Sequence, residues 1–297
     1  MESFSARVKS ELCRTPAGDI CCVQSECYGI LLLGSVFSAG ELRILTSHAA
    51  FAERIGDLMQ AGFGFRSEPP AQSERGRKHL VSVTREDWVK KVRGTYGYGQ
   101  KNETVLHLNC AVLEKECCQP AFWRGALCAG GTVTDPEKKY LLEIVTPHRV
   151  MARELLALMR ESGFEPSLGE RSGAMVLALK ASEAIEDFLA FTGAPIASMA
   201  VMQTKVEKEI RNSVNRRVNC DTANLDKQLA AAERLKDIIA RLENNGKMEA
   251  LPYVLQNTAR ARVLYPEDSL IQLAERLNIS KSCLNHRLRK LTECAKI

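Results

Sequence analysis

The chain repeats itself, and that limits its fold more than any other feature. Leu42-Arg43-Ile44-Leu45-Thr46-Ser47-His48 resembles Leu142-Glu143-Ile144-Val145-Thr146-Pro147-His148. Each stretch runs into a helical pattern, reaching Leu58-Met59 or Leu158-Met159, and closes on Gly62-Phe63 or Gly163-Phe164. Upstream, Leu33-Gly34-Ser35-Val36 corresponds to Gly130-Gly131-Thr132-Val133. The offset drifts from 97 to 101 residues, as short loop insertions produce. Chance is a poor account of so many matches in one order, so one unit is built twice.

Both copies predict the same elements. An apolar helix (residues 22–33 or 120–130) leads into a Gly-containing tight turn. A β-rich stretch with alternating side chains follows (residues 41–46 or 139–145). Next comes a helix with Phe51, Ile55, Leu58 and Met59 on its apolar side, or Val150, Leu155, Leu158 and Met159. Two short strands, the second at residues 80–84 or 175–180, precede a closing helix at residues 85–92 or 183–191. The order is αββαββα, twice. The chain has 297 residues and divides on this reading into an N-terminal helix (1–21), a duplicated domain (22–192, copies about 22–97 and 120–192), a linker (193–221) and a helical domain (222–297).

The net charge of +5 is unevenly spread. Residues 1–194 hold 23 basic and 24 acidic side chains, whereas residues 195–297 hold 18 and 12. The basic excess belongs to the last third and points to a polyanion there. The run from Gly29 to Gly34 is far short of the ~20 residues of a membrane span, and the first residues lack the basic-then-apolar order of an export signal. The 11 cysteines are odd in number and show no C-x-x-C spacing, which favours reduced thiols in a cytoplasmic protein. Zinc on Cys13, Cys21, Cys22 and Cys27, or on Cys110, Cys117 and Cys118, is the lesser reading, because structural zinc sites draw on ligand pairs two to four residues apart. Free thiols, no metal and no cofactor are the expectation; no phosphate-binding glycine motif occurs.

The repeated unit with its Gly-rich helix end resembles the LAGLIDADG homing-endonuclease fold. That family packs two motif helices together and lays saddle-shaped sheets on DNA, and an acid at each helix end holds the metal ions for cleavage. Trp123-Arg124-Gly125-Ala126-Leu127-Cys128-Ala129-Gly130-Gly131-Thr132 aligns with the second motif and Tyr28-Gly29-Ile30-Leu31-Leu32-Leu33-Gly34-Ser35 with the first. The acid positions fall on Gly130 and Leu33, neither of which binds a hard cation. Asp135 and Glu137 follow the second motif, with no matching pair after the first. The resemblance thus implies the fold without the nuclease; a metal-dependent endonuclease is the alternative. His48 and His148 follow strand-to-helix turns, where a helix-start or packing role is expected. Arg75, Arg77 and Lys78, in a strand-connecting loop, are auxiliary candidates for phosphate contact.

Thr192-Gly193-Ala194-Pro195 closes the duplicated region. The basic connector beyond it carries Arg211, Arg216 and Arg217, further auxiliary DNA candidates. A helix is then expected from an Asp221 or Thr222 cap, with Leu225, Leu229, Ala232, Leu235, Ile239 and Leu242 in one stripe and Asn245-Gly246 as its stop. Pro252 opens another, through Leu255, Ala259 and Val263. At residues 268–291 the pattern is a helix-turn-helix. Asp268 and Ser269 cap a helix burying Leu270, Leu273, Ala274 and Leu277; Asn278-Ile279-Ser280 form the turn; Leu284, Leu288 and Leu291 face inward. Ser282, Asn285, His286 and Arg289 are the expected base readers, with Ser280, Lys281, Arg287 and Lys290 at phosphates.

A degenerate double LAGLIDADG unit followed by a helix-turn-helix resembles the WhiA family of bacterial sporulation and cell-division regulators. Arg124-Gly125 through Gly130-Gly131-Thr132-Val133 carries the likeness, as do Asn215-Arg216-Arg217 with Asn219-Cys220-Asp221 and Asn224-Leu225, and residues 280–290. The resemblance implies an α+β protein: a tandem duplicated LAGLIDADG-like domain joined to an all-α helix-turn-helix domain. It implies a transcriptional regulator that binds double-stranded DNA without cutting it, cytoplasmic and nucleoid-associated, with another regulatory protein as a partner in some bacteria. A third reading makes the duplicated unit a ligand or protein sensor.

Overall fold

The computed structural model describes residues 2–67, 70–72, 78–99 and 106–295. They form two compact units, Met1–Lys208 and Glu209–Ile297. In the first, α1 (Phe4–Arg14) precedes a copy made of α2 (Ile20–Leu32), β1 (Val36–Phe37), β2 (Leu42–Thr46), α3 (Ala49–Phe63), β3 (Ala71–Gln72), β4 (His79–Val83) and α4 (Glu86–Thr95). The second copy is α5 (Cys118–Gly130), β5 (Gly131–Val133), β6 (Leu142–Thr146), α6 (Arg149–Glu161), β7 (Ser167–Arg171), β8 (Ala174–Leu179) and α7 (Ser182–Thr192). The expected αββαββα order is present in both. Ile20 and Cys21 belong to α2 rather than to an N-terminal helix, since Asp19 already stands at the N-cap.

The two sheets have one topology, β1-β2-β4-β3 and β5-β6-β8-β7, with every pair antiparallel. Alternation along β2 and β6 buries Leu42, Ile44, Leu142 and Ile144 under the helices. All four apolar positions named on α3 are buried, as are Leu155, Leu158 and Met159 on α6. Val150 is the exception at 41% exposure, because Met151 and Ala152 of the same turn face the core in its place.

After α7, Gly193 adopts φ 100°, a left-handed cap that glycine takes without strain. Pro195 then opens α8 (Pro195–Asn244), one continuous helix of 50 residues. This corrects the expected linker at 193–221 and the expected helix start at Asp221 or Thr222. Pro195 sits where a helix needs no N–H, and no other proline or any glycine interrupts the chain before Gly246. Glu11 of α1 caps its start, accepting from the Ile196 and Ala197 amides at 2.7 and 2.9 Å. In the first unit Lys205 pairs with Glu183 at 2.5 Å, which draws that carboxyl down to about 2.

The centre of the first unit is the contact between α2 and α5. Glycine in a helix interior costs about 1 kcal/mol relative to alanine, so it is kept there for a reason. A Cβ on Gly29 would lie 2.1 Å from the Phe122 carbonyl oxygen, and one on Gly125 would lie 2.1 Å from that of Glu26. The two clashes are reciprocal, and one offset of 96 residues relates Gly29 to Gly125 and Glu26 to Phe122. Beside the crossing, Glu26 is 2% exposed and holds Arg54 at 2.6 and 2.9 Å and Arg124 at 3.1 Å. Arg54 also donates to the Cys13 and Thr15 carbonyls at the C-terminal end of α1. Burial works against its charge, but the Glu26 hydrogen bonds hold the guanidinium above its ordinary pKa. Replacing Gly29 or Gly125 by alanine is expected to destabilise the unit by about 3 kcal/mol through overpacking. Glu26→Gln, which leaves two buried cations without their anion, should lose about 3–5 kcal/mol. Urea unfolding followed by circular dichroism measures both.

Candidate nucleic-acid interface

The positions where LAGLIDADG nucleases keep their acids lie at the C-terminal ends of α2 and α5. Leu33 caps α2 and is 8% exposed. Gly130 ends α5, and a Cβ built on it would lie 3.1 Å from Leu33 Cβ and 3.0 Å from the Val145 carbonyl oxygen. Leu33 and Gly130 lie together at an end packed with carbon and backbone, but the 96-residue offset of the crossing glycines and the strand pairs Phe37–Leu42 and Val133–Leu142 make Gly34, not Leu33, the counterpart of Gly130. Neither supplies an oxygen ligand. Asp135 is engaged locally, accepting from the Glu137 amide at 3.0 Å. His48 is a structural residue. Its Nδ1 accepts from the Phe51 amide as a helix cap, leaving the Nε2 proton for Ser10 or the Ala6 carbonyl. His148 occupies the N-cap of α6 but makes no side-chain cap.

Among the described residues, the strand arginines Arg43 and Arg171 lie beside carboxylates. Glu143 is bidentate to Arg171 at 2.8 and 3.1 Å, and Glu170 to Arg149 at 2.7 and 2.8 Å. Arg43 lies 3.8 Å from Glu41, and Arg66 donates to Asp57 at 2.8 Å. Lys78 is exposed just before β4. Arg75 and Arg77 lie outside the described residues.

The second unit is small and entirely helical. Its core joins Ile239 and Leu242 of α8 to α9 (Tyr253–Leu264), α10 (Leu270–Arg276) and α11 (Lys281–Cys294). The predicted stripe along α8 is split: Ala232, Leu235, Ile239 and Leu242 pack, while Leu225 and Leu229 are 56% and 48% exposed. On α9, Leu255 and Ala259 are buried but Val263 is exposed, because Ala261 and Arg262 turn inward in its place. Arg262 donates to the Asp268 carbonyl at 2.6 Å, and burial pulls its pKa below the ordinary arginine value. The Asp268 carboxylate pairs with Arg276. These contacts hold the loop that enters α10.

The helix-turn-helix is assembled by local rules. Ser269 caps α10 in a full capping box with Gln272. Asn278 turns the chain at φ 51°, a left-handed conformation that asparagine tolerates. Ser280 then caps α11 by accepting from the Cys283 amide at 3.2 Å. Leu284, Leu288 and Leu291 are buried, and Ser282, Asn285, His286 and Arg289 are exposed. At about 100° per residue, these four share one outward arc, flanked by Lys281 and Lys290. Arg287 is different. It projects roughly 140° from Ser282, on the shoulder beside Leu291, and is half-buried. Its assignment to phosphate contact is therefore the weakest of the set, and its proximity to the apolar side explains why.

Two features of this face were not legible beforehand. Glu293 lies three residues beyond the basic run and approaches Arg289 at 3.7 Å. Asn285 and Arg289 also line a cleft of about 400 Å³, whose other wall includes Lys227 and Leu235 of α8. The i, i+4 spacing of Arg289 and Glu293 was a signal for the first. The second depends on how α8 packs against α11. Arg211, Arg216 and Arg217 are exposed on α8, but at helical spacing they point in separate directions and form no single stripe.

These parts define a two-part protein: a duplicated LAGLIDADG-like unit without its acids, and a helical unit ending in a helix-turn-helix. Family profiles described as "WhiA LAGLIDADG-like domain" and "WhiA C-terminal HTH domain" match residues 119–211 and 214–295. The chain is 36% identical over 304 residues to the "Probable cell division protein WhiA" of Ruminiclostridium cellulolyticum, covering 99% of this chain and 97% of the relative. It is 34% identical over 302 residues to the protein of the same description from Desulforudis audaxviator, covering 99% and 96%. The crystal structure of full-length DUF199/WhiA from Thermotoga maritima matches with a TM-score of 0.59 at 22% identity, covering 99% of this chain and 98% of that one, a likeness of fold. The chain belongs to the WhiA family.

Loss of the Ser269 hydroxyl removes one half of the capping box. Ser269→Ala is expected to lower the stability of the second unit by about 1 kcal/mol, with α10 fraying first. Amide hydrogen exchange at residues 270–276 would register the change.

Proposed function

We propose that this protein is a sequence-specific DNA-binding transcriptional regulator that reads bases with α11 and has no nuclease activity. The outward arc of Ser282, Asn285, His286 and Arg289 carries the reading, set between Lys281 and Lys290 on a helix of major-groove size. Asn285 suits an adenine edge and Arg289 a guanine edge, with the lysines and the capped start of α11 at phosphates. Glu293, exposed and 3.7 Å from Arg289, is a weak competitor for that guanidinium. Arg211, Arg216, Arg217 and Lys78 are secondary phosphate contacts.

The process is cell division or chromosome segregation, with sporulation where the organism sporulates. The descriptions of the relatives support the cell-division part of this reading. Another regulatory protein is the fitting partner for the duplicated unit, whose strand arginines Arg43 and Arg171 lie beside carboxylates. Among the described residues no helix is long and apolar enough to cross a membrane, and a DNA reader belongs in the cytoplasm on the nucleoid. Loss of oxygen ligands at both motif ends supports the absence of cleavage.

Genome-wide footprinting of the full chain identifies the target, and binding to that site tests the reading. Asn285→Ala and Arg289→Ala should each cost about 1–3 kcal/mol and relax specificity at one base pair. Lys281→Ala and Lys290→Ala should weaken all sequences alike and reduce the salt slope by about 0.9 each. Unchanged specific binding by the Asn285→Ala, Arg289→Ala double variant would remove α11 from the reading role. Site-specific double-strand cleavage in Mg²⁺ would restore the nuclease.

A further inference from the structure

The two cysteine groups that stand far apart in the sequence meet in space. Cys21 and Cys22 lie in the first turn of α2, and Cys117 and Cys118 occupy the N-cap and first position of α5. The dipeptides are 96 residues apart, the same offset that relates Gly29 to Gly125 and Glu26 to Phe122. They are therefore equivalent positions in the two copies, brought together because the motif helices cross in close contact and start side by side. The Sγ atoms of Cys21, Cys22 and Cys117 all lie within 4.8 Å of one another, and Cys21 Sγ is 3.9 Å from Cys117 Sγ.

That spacing has a chemical meaning. A tetrahedral zinc ion with ligands at ~2.3 Å separates its sulfurs by ~3.8 Å, whereas a disulfide brings them to ~2.05 Å. The observed separation matches the first. Two helix N-termini bring partial positive charge to the group, while burial and the neighbouring thiols push Cys22 up to about 12, so cation binding there displaces a proton. Cys118 borders the group, and a hollow of about 320 Å³ lined by Cys21, Cys118, Glu114 and Lys115 gives access from solvent. Cys21 and Cys22 are part-exposed and Cys117 is exposed, so an ion can enter without unfolding the chain.

We propose that Cys21, Cys22 and Cys117 form a thiolate site for a zinc-class divalent cation that staples the starts of the two motif helices together. The site lies at the opposite end of α2 from Leu33, roughly 18 Å away by helical rise. It is thus separate from the vanished nuclease centre and its acids. Because its ligands come from both copies, the metal bridges the duplication in the folded state only, and binding stabilises the first unit by mass action.

Titration of the reduced full chain with Co²⁺ tests this. The expected result is one ion per chain with the intense sulfur-to-cobalt absorption of a tetrahedral thiolate site, displaced by Zn²⁺. Cys21→Ser and Cys117→Ser should abolish it, and Cys220→Ser, in an exposed cysteine elsewhere, should not. Circular dichroism establishes that each variant is folded. A second measurement needs no variant: Zn²⁺ should protect Cys21, Cys22 and Cys117 from iodoacetamide in the native chain while Cys220 stays reactive. Absence of the absorption, its survival in both serine variants, or equal alkylation with and without Zn²⁺ would overturn the proposal. So would a Cys21–Cys117 disulfide in the protein isolated from cells.

Discussion

Everything in the first unit depends on how closely α2 and α5 approach. The Phe122 and Glu26 carbonyls occupy space that any Cβ on Gly29 or Gly125 would need. This approach aligns the two sheets' copies, and it places Leu33 against Gly130 at one end and the four cysteines together at the other. It also buries Glu26 between Arg54 and Arg124, an arrangement stable only while all three charges are present. A nuclease scaffold needs the crossing to bring two acids together. Here the crossing persists while its C-terminal end is sealed with apolar atoms.

The second unit rests on different physics. Its helices are short, its core is a handful of leucines and isoleucines, and local capping does much of the ordering: Ser269 with Gln272, Asn278 at the turn, Ser280 on α11. Such a module presents its outer arc independently of what lies upstream. The basic excess of the last third is concentrated where that arc can meet a polyanion, and Glu293 tempers it at the far end. Among the described residues, the strand arginines Arg43 and Arg171 of the first unit lie beside carboxylates.

Periodicity and capping made the helix-turn-helix legible, because each of those signals acts over a few residues. The duplication was legible too, since repeated strings need no knowledge of contacts. Several details were not. The helical continuity of α8 was obscured by the polar pair Asp221 and Thr222, which read as a cap yet stand within a helix that has no breaker. Arg287 sits in a basic run, and only its angular position beside Leu291 shows that it is half-buried. Leu225 and Leu229 continue an apolar stripe whose packing partners end sooner than the stripe does.

By itself the sequence determined that one αββαββα unit occurs twice, that Leu33, Gly34 and Gly130 carry no side-chain oxygen, and that a basic helix-turn-helix follows it. These are properties of residue identity and short spacing. Only the tertiary structure decided which distant residues share a site. Leu33 meets Gly130, Glu26 meets Arg124, and Cys21 meets Cys117 because two helices pack backbone to backbone. Contacts across 96 to 98 residues arise from that packing geometry, which no local pattern encodes.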